Sequence, residues 1–307
     1  MQIPPFKFLI TTDWQDYELL DSGGGKKLER FGSYLFIRPE HQAIWEPAWP
    51  AQRWAEAHAI FHPTSEESGG HWEFLKPVPA PIKMNYKNLS FAAATGNSRH
   101  LGVFPEQASH WNWLSALIRA ANRPVRILNC FGYTGLASLA AAQAGAQVTH
   151  VDASKKALAW ARTNQALSHL EHASIRWLLD DAEKFIKREI RRGSTYDGFI
   201  LDPPKFGRGP KGEVWEVFES LPQLLEDCRK IISANPLFIV LTAYAIRASA
   251  LSIYYAVHEL MRDFDGTSQA GELAILEKSA GRLIPTAIYT RWETRKGKPK
   301  DEAQLDD

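Results

Sequence analysis

The chain has 307 residues, too long for one average domain and too short for three large ones. Hydrophobic residues make up 45% and charged residues 23%, which excludes wholesale disorder. Thirty-six Lys and Arg face 35 Asp and Glu, so the net charge of +1 excludes a strongly basic coat while allowing a local basic patch. Two cysteines exclude a disulfide framework or a Cys-rich zinc site, and no metal is expected. The start, MQIPPFKFLITTDW, lacks the apolar run and cleavage signal of a secretory leader, and no stretch approaches the about 18 apolar residues of a membrane span. A cytoplasmic, reduced chain is the expectation.

Seven of the 11 tryptophans lie in the first 113 residues. Aromatic rings help a small unit with little apolar volume to hold together; a surface for stacking on a base is the alternative. YELLDSG (17–23) and YLFIRPE (34–40) read as antiparallel strands, with GGGKKLERFG as an exposed polar loop carrying Lys26, Lys27 and Arg30. FHPTSEESGG (61–70) reads as a surface loop and PVPAP (77–81) as stiff and extended. KNLSFAAATG and HLGVFP read as two strands around a turn at Asn97 and Ser98. From residue 106 the pattern changes. EQASHWNWLSALIRAAN predicts a helix, and then strands alternate with helices: VRILNCF, GLASLAAAQAG, QVTHVDA, SKKALAWARTNQALSHL, SIRWLLDD, AEKFIKREIRRG, YDGFILDPP, VWEVFESLPQLLEDCRKIIS, LFIVLTAY and SALSIYYAVHELMRD. GELAILEKS and TAIYTRWE supply two last strands. That alternation predicts an α/β fold with a doubly wound, mostly parallel sheet. The division expected is a β-rich unit over 1–95, the α/β domain over 96–293 and a polar tail over 294–307.

Such a sheet binds ligands beyond the carboxyl ends of its strands. The first strand delivers Asn129-Cys130-Phe131-Gly132-Tyr133-Thr134-Gly135. This G-x-x-G lacks the central glycine that wraps a pyrophosphate, and suits an uncharged adenosine with a short zwitterionic arm better. A plain strand-to-helix turn is the other reading. Asp152 closes the second strand, 20 residues after Gly132, where a carboxylate accepts ribose hydroxyls; it could also simply cap the next helix. The third strand ends in Asp180-Asp181-Ala182, and Asp181, with Asp180 not excluded, is placed to reach an adenine amino group. The fourth ends in Asp202-Pro203-Pro204-Lys205-Phe206, a carboxylate and constrained carbonyls that can receive an amino group.

LNCFGYTG, VDASKKALAWARTNQ, WLLDDAEKF and ILDPPKFGRG together resemble class I S-adenosylmethionine-dependent methyltransferases, and within them the bacterial 23S rRNA large-subunit methyltransferase group. The resemblance covers about residues 100–245, and SGGGKKLERFG, HLGVFPEQ and GRLIPTAIYTRW extend it to an uncharacterised branch of that group. It implies a seven-stranded sheet of the class I methyltransferase fold. By resemblance Phe131, Gly132, Thr134 and Gly135, with Asn129 and Tyr133 in the same segment, hold the methionine arm and ribose. Asp152 and Ala153 hold the ribose, and Asp181 with Ala182 the adenine. Phe104 and Gln107 lie over the cofactor. Asp202, Pro203, Pro204 and Phe206 face the methyl donor and the substrate. Residues 1–90 do not match the PUA-type domain of the rRNA members.

The function expected is methyl transfer from S-adenosylmethionine to a base of RNA, 23S rRNA in particular, at a guanine nitrogen. The base would be unpaired or flipped and would stack on Phe206 or Tyr244, while Lys205, Arg208 and Lys211 meet phosphates. C5 methylation of cytosine is the first alternative, and it needs a thiolate to attack C6. Cys130 sits in the cofactor loop and Cys228 on a long helix, whereas Pro203-Pro204 and Leu241-Thr242-Ala243-Tyr244 occupy the strand ends. Methylation of a small molecule or protein, and a non-catalytic RNA-binding protein of the same fold, are further alternatives. The oligomeric state is left open.

Overall fold

Residues 4–64, 69–96 and 98–295 are described by the computed structural model. The N-terminal half comprises β1 (Phe6–Ile10), β2 (Tyr17–Gly23), β3 (Lys26–Phe31), β4 (Tyr34–Pro39), α1 (Ala51–Trp54), β5 (Ala59–Pro63), β6 (Gly70–Phe74), β7 (Ile82–Tyr86) and β8 (Leu89–Ala93). A 3-10 turn, Pro105–Gln107, then leads into α2 (Ala108–Ala120). The alternating region follows as β9 (Arg126–Cys130), α3 (Leu136–Gln143), β10 (Gln147–Asp152), α4 (Lys155–Leu167), β11 (Ile175–Leu179), α5 (Ala182–Arg192) and β12 (Gly198–Leu201). After it come β13 (Phe206–Arg208), β14 (Val214–Glu216), α6 (Val217–Arg229), β15 (Phe238–Ala243), α7 (Ala250–Leu260), β16 (Gly266–Leu276) and β17 (Leu283–Thr294).

The large sheet has the order β1-β16-β17-β15-β12-β9-β10-β11, and only β17 runs antiparallel to its neighbours. β9, β12 and β15 are buried on both faces and read as continuous apolar runs, as central parallel strands do. Reversal of strand order beside β9 and β12 opens a crevice at their carboxyl ends. Among the described residues no helix is long and apolar enough to cross a membrane.

Several expectations need correction. All seven expected strands are in the sheet, and an eighth, β1, is added at its edge. Phe6–Ile10 pairs in parallel with β16, so the β-rich unit expected over 1–95 sends its first strand into the neighbouring sheet. The stretch expected as a loop around Lys26, Lys27 and Arg30 is strand β3, paired on both sides. It looked like a loop because its charges are paired within the fold. Lys27 lies 3.4 Å from Glu40 and 3.7 Å from Glu29, and Arg30 donates to the carbonyls of Gly32 and Gln15. HLGVFP is not a strand: β8 pairs with β7 across Lys87 and Asn88. Asn97, of the expected turn, lies outside the described residues, as do residues 65–68 of the expected surface loop and 296–307 of the tail. The expected long helix begins only at Val217, because Val214–Glu216 pairs with Phe206–Arg208 in a hairpin.

The core of the smaller sheet continues into the larger one. Tyr17, Leu19, Phe31 and Phe36 pack in one cluster with Trp111, Leu139 and Ile284, and Trp14, Trp45 and Trp72 border it. Inside this sheet Glu29 is fully buried. Arg38 Nε and Nη2 donate to its two oxygens at 2.6 and 2.7 Å, and Tyr17 Oη donates at 2.7 Å. Burial opposes the charge on Glu29, but Arg38 and Lys27 outweigh it and hold the carboxyl at about 2. The folded value lies below the ordinary 4.5. The stabilisation is therefore complete above that pH and is lost as pH falls toward 2. Arg38→Ala leaves a buried carboxylate without its partner and should lower stability by about 3–5 kcal/mol in urea unfolding at pH 7. That deficit should shrink as the pH is lowered through 4.

Candidate active site

The turn after β9 is the floor of the site. Phe131, Tyr133 and Gly135 have φ of 59°, 51° and 83°. Glycine is compulsory at 135, both for its left-handed φ and because a Cβ there would stand 2.9 Å from Ala161 and Trp177. Asp152, at the end of β10, fixes this turn. Its Oδ2 accepts the Tyr133 backbone N–H at 2.8 Å, and its Oδ1 accepts that of Ser154 at 2.7 Å. Burial nevertheless pushes the Asp152 carboxyl above the usual range. Each oxygen retains a second lone pair for a ligand hydroxyl. Ala153 beside it is half-buried.

Other loop residues face inward. Asn129 is buried and donates to Ser138 Oγ at 2.8 Å; Ser138 Oγ lies 3.0 Å from His150 Nδ1. Gly132 closes over that histidine, whose ring lies 2.3 Å from where a Cβ would be. Thr134 is buried and donates to the Gly102 carbonyl at 2.6 Å. Their side chains are thus engaged in the fold, and their backbone is what the turn can offer a ligand.

The two acids after β11 separate. Asp180 pairs with Arg188 and accepts the Asp181 N–H. Asp181 caps α5 through the Lys184 N–H at 2.9 Å, and Ala182 is buried behind it. One Asp181 oxygen is engaged by that cap.

At the end of β12, Asp202 Oδ2 accepts from Gln107 Nε2 at 3.2 Å, and the same nitrogen lies 3.1 Å from Tyr244 Oη. Asp202 Oδ1 is buried with no partner. Such an atom calls for a donor, and a ligand hydroxyl, ammonium or amino group would supply it. Burial, and then the neighbouring Glu106, push the Asp202 carboxyl up to about 8. Pro203 is buried and Pro204 exposed; the Pro204 carbonyl accepts the Trp215 indole N–H at 2.7 Å. Trp215 also packs on Phe131 at 4.8 Å, so the cofactor turn and the D-P-P segment share one support. Phe104 completes the wall, with its ring 5.8 Å from Tyr133 and 5.2 Å from Tyr244. Outside lie Phe206, 55% exposed, and the exposed Lys205, Arg208 and Lys211 of the β13–β14 hairpin.

Sequence reasoning missed Glu106 and Trp215. An acid at a helix start reads as a solvated dipole partner, and Trp215 reads as one more helix residue; nothing in their spacing separates them from those roles. Both cysteines lie in the apolar core, and burial pushes both thiols up. Among the described residues no group of three or more His, Cys, Asp or Glu could hold a metal.

Because the folded Asp202 holds its proton above the ordinary 3.8, the folded state binds more protons and loses stability as pH rises from about 4 to 8. Asp202→Asn removes this loss. Its melting temperature should match the parent near pH 4 and exceed it by a few degrees at pH 8, about 2–4 °C per kcal/mol relieved. A difference independent of pH would remove the burial argument.

Comparison with known proteins places the chain in a family. A family model described as S-adenosylmethionine-dependent methyltransferase matches residues 14–241. The crystal structure of a SAM-dependent methyltransferase from Agrobacterium tumefaciens is similar with a TM-score of 0.90 and 48% identity, covering 94% of this chain and 95% of that one. Ribosomal RNA large subunit methyltransferase I of Aeromonas salmonicida is 30% identical over 164 residues, 53% of this chain and 38% of that protein. Its namesake in Salmonella arizonae is 37% identical over 117 residues, 38% of this chain and 26% of that protein. The chain thus spans well under half the length of these curated relatives. The eight-stranded sheet is of the class I methyltransferase kind, and the turn, the Asp152 carboxylate and the partnerless Asp202 oxygen fit an adenosine with a zwitterionic arm. The chain belongs to the S-adenosylmethionine-dependent methyltransferases, and S-adenosylmethionine is its methyl donor.

Proposed function

We propose that this methyltransferase acts on a base of RNA, with ribosomal RNA of the large subunit as the substrate class and a guanine nitrogen as the acceptor. Asp202 carries this reading: a carboxyl with one engaged oxygen and one enclosed free oxygen, beside an exposed aromatic ring and cations. The rRNA relatives named above support the substrate class. When bound, S-adenosylmethionine supplies an electrophilic methyl on a cationic sulfur. The backbone of Phe131–Gly135 and the carboxylates of Asp152 and Asp181 would hold it, with Ala153 and Ala182 lining the ribose and adenine and Phe104 and Gln107 closing over it. A positive ligand beside Asp202 favours its ionised form. Asp202 Oδ1 would then accept an amino hydrogen and orient the nitrogen lone pair toward the methyl carbon, a contribution of orientation rather than covalent catalysis. Phe206 or Tyr244 would stack on the base, and Lys205, Arg208 and Lys211 would meet phosphates on either side. The N-terminal sheet would guide the RNA. With Lys27 and Arg30 already paired, Lys26 is the exposed cation of that segment.

C5 transfer to cytosine of the same RNA is the second reading, favoured by Cys130 standing directly before the cofactor turn and by the rRNA relatives. It requires that thiol to leave the core and attack C6.

Asp152→Ala should weaken S-adenosylmethionine binding about tenfold or more in calorimetry, since a hydrogen bond to a charged acceptor contributes about 1.5–3 kcal/mol. Mass mapping of modified rRNA fragments from cells lacking the gene should reveal one missing methyl group. In transfer assays on that rRNA, Cys130→Ala with Cys228→Ala should keep most of the activity, and Asp202→Ala should lose most of it while keeping its fold. A folded, cofactor-binding double cysteine variant without activity would replace the nitrogen reading by C5 methylation.

A further inference from the structure

β1 is the end strand of the large sheet, and among the described residues it pairs only with β16. Its side chains Phe6, Phe8 and Ile10 are 50%, 53% and 37% exposed. Residues two apart point to the same face of a sheet, so the three form one apolar stripe, with the Phe6 and Phe8 rings in edge contact at 5.7 Å. Native edge strands are normally blunted by a charge, a proline or a bulge. None of these interrupts the stripe. The pairing with β16 is regular from Phe6 to Ile10, and Lys7, the only charged residue of FKFLI, belongs to the opposite face.

The stripe lies on the α7 side of the sheet. Phe6 is in register with Ala270, which packs with Ala250 and Tyr254 of α7. Ile253, Val257 and Leu260 join the core that α6 shares. Leu251 and Tyr255, 45% and 55% exposed and one turn apart, lie on the flank of α7 turned away from α6, which is the flank toward β1.

The backbone sets what can pair here. The Ala270 N–H donates to the Pro5 carbonyl. Alternate residues of a parallel strand address the same neighbour, so Pro5, Lys7 and Leu9 turn their N–H and C=O groups to β16, and Phe6, Phe8 and Ile10 turn theirs outward. A second copy of β1, antiparallel and related by a two-fold axis beside Phe8, matches this edge. Phe8 meets the same residue of the second copy in a pair that exchanges both N–H···O bonds, and Phe6 meets Ile10 in the same way. Every outward N–H and C=O of the strand is used. The two stripes stay on one face and meet as cross-strand apolar pairs, while Lys7 stands opposite Leu9 and not another lysine. Half-exposed side chains of aromatic size leave roughly 75–125 Å² each in water, so the stripe and the α7 flank give two chains about 1,000 Å² of apolar surface, where specific interfaces begin.

We propose that the protein is a homodimer joined through β1, its two large sheets continuous across a two-fold axis at Phe8, with the α7 flank of each chain packed toward the stripe of the other. One such edge per chain closes the assembly at two copies. The joined strands run in opposite directions, so the two crevices lie at opposite ends of the combined sheet, and each is complete within its own chain.

Sedimentation equilibrium of the full chain across the micromolar range should give twice the chain mass. Phe8→Glu and Phe8→Lys each set like charges face to face on the axis, and each should raise the dissociation constant by about 10²-fold. An equimolar mixture of the two variants should form dimers within about tenfold of the parent affinity, because opposite charges then meet at the axis. Both variants should bind S-adenosylmethionine as the parent does in calorimetry, which shows that they fold. If either does not, Phe8→Cys decides: mild oxidation should link two chains through position 8, since Cys130 and Cys228 are buried. A Phe8→Cys chain that stays unlinked, dimers indifferent to charge at position 8, or a mixture no tighter than the single variants overturns the proposal. A parent that is monomeric throughout also overturns it and leaves the β1 edge to a different chain.

Discussion

Two residues with side chains, Phe131 and Tyr133, are held at positive φ in the turn after β9. Each such conformation costs roughly 1–2 kcal/mol, so the turn does not stand by local preference. Asp152 offsets that cost by binding the Tyr133 N–H, and the Phe131 ring is braced by Trp215. Everything else at the crevice depends on this hold. It sets the distance between the first two parallel strands at their carboxyl ends, and it presents the backbone of 131–135 as a surface. A carboxylate engaged in this way is not idle as a ligand for a ribose, because the bonds that secure the turn use one lone pair of each oxygen. Scaffold and binding group are the same atoms.

The alternating half of the molecule was legible in the sequence because its strands are short apolar runs separated by amphipathic helices with clear ends, such as Ser154 before α4 and Gly193 after α5. The strand-end acids were legible because topology places them at one edge whatever their side chains do. Two things were hidden. In β3 the run Lys26-Lys27-Leu28-Glu29-Arg30 has the look of a solvated loop, since a buried ion pair leaves the same letters as an exposed one. At the site, Asn129 and Thr134 look like ligands by position, and only the coordinates reveal that their side chains are bonded to Ser138 and Gly102. Glu106 was invisible for the converse reason: the Asp202 carboxyl it neighbours is 96 residues away in the chain.

The smaller sheet is fastened to the larger by polar contacts as well as by shared core. Glu277 is fully buried and accepts from the Ser22 N–H at 2.7 Å and from Ser279 Oγ at 2.8 Å; Ser279 Oγ also lies 2.6 Å from Asp21. Asp21 in turn holds the backbone of Trp49 and the indole of Trp54. The sheet that carries Lys27 and Arg38 is therefore anchored at the far edge of the large sheet.

The Ser22–Glu277 contact joins residues 255 positions apart, and β1 waits for β16 over a similar span. Pairings of that separation raise the contact order and slow the closing stages of folding. During synthesis at about 5–20 residues per second, the N-terminal sheet emerges roughly 10–50 seconds before the strands that anchor it. For that interval the side chains of Tyr17, Leu19, Phe31 and Phe36 lack Ile284 of β17, and for the early part of it also their partners from α2 and α3; an uncovered aromatic face of this kind is what holdase chaperones bind. Completion of the crevice is thus a late, C-terminally timed event in the life of the chain.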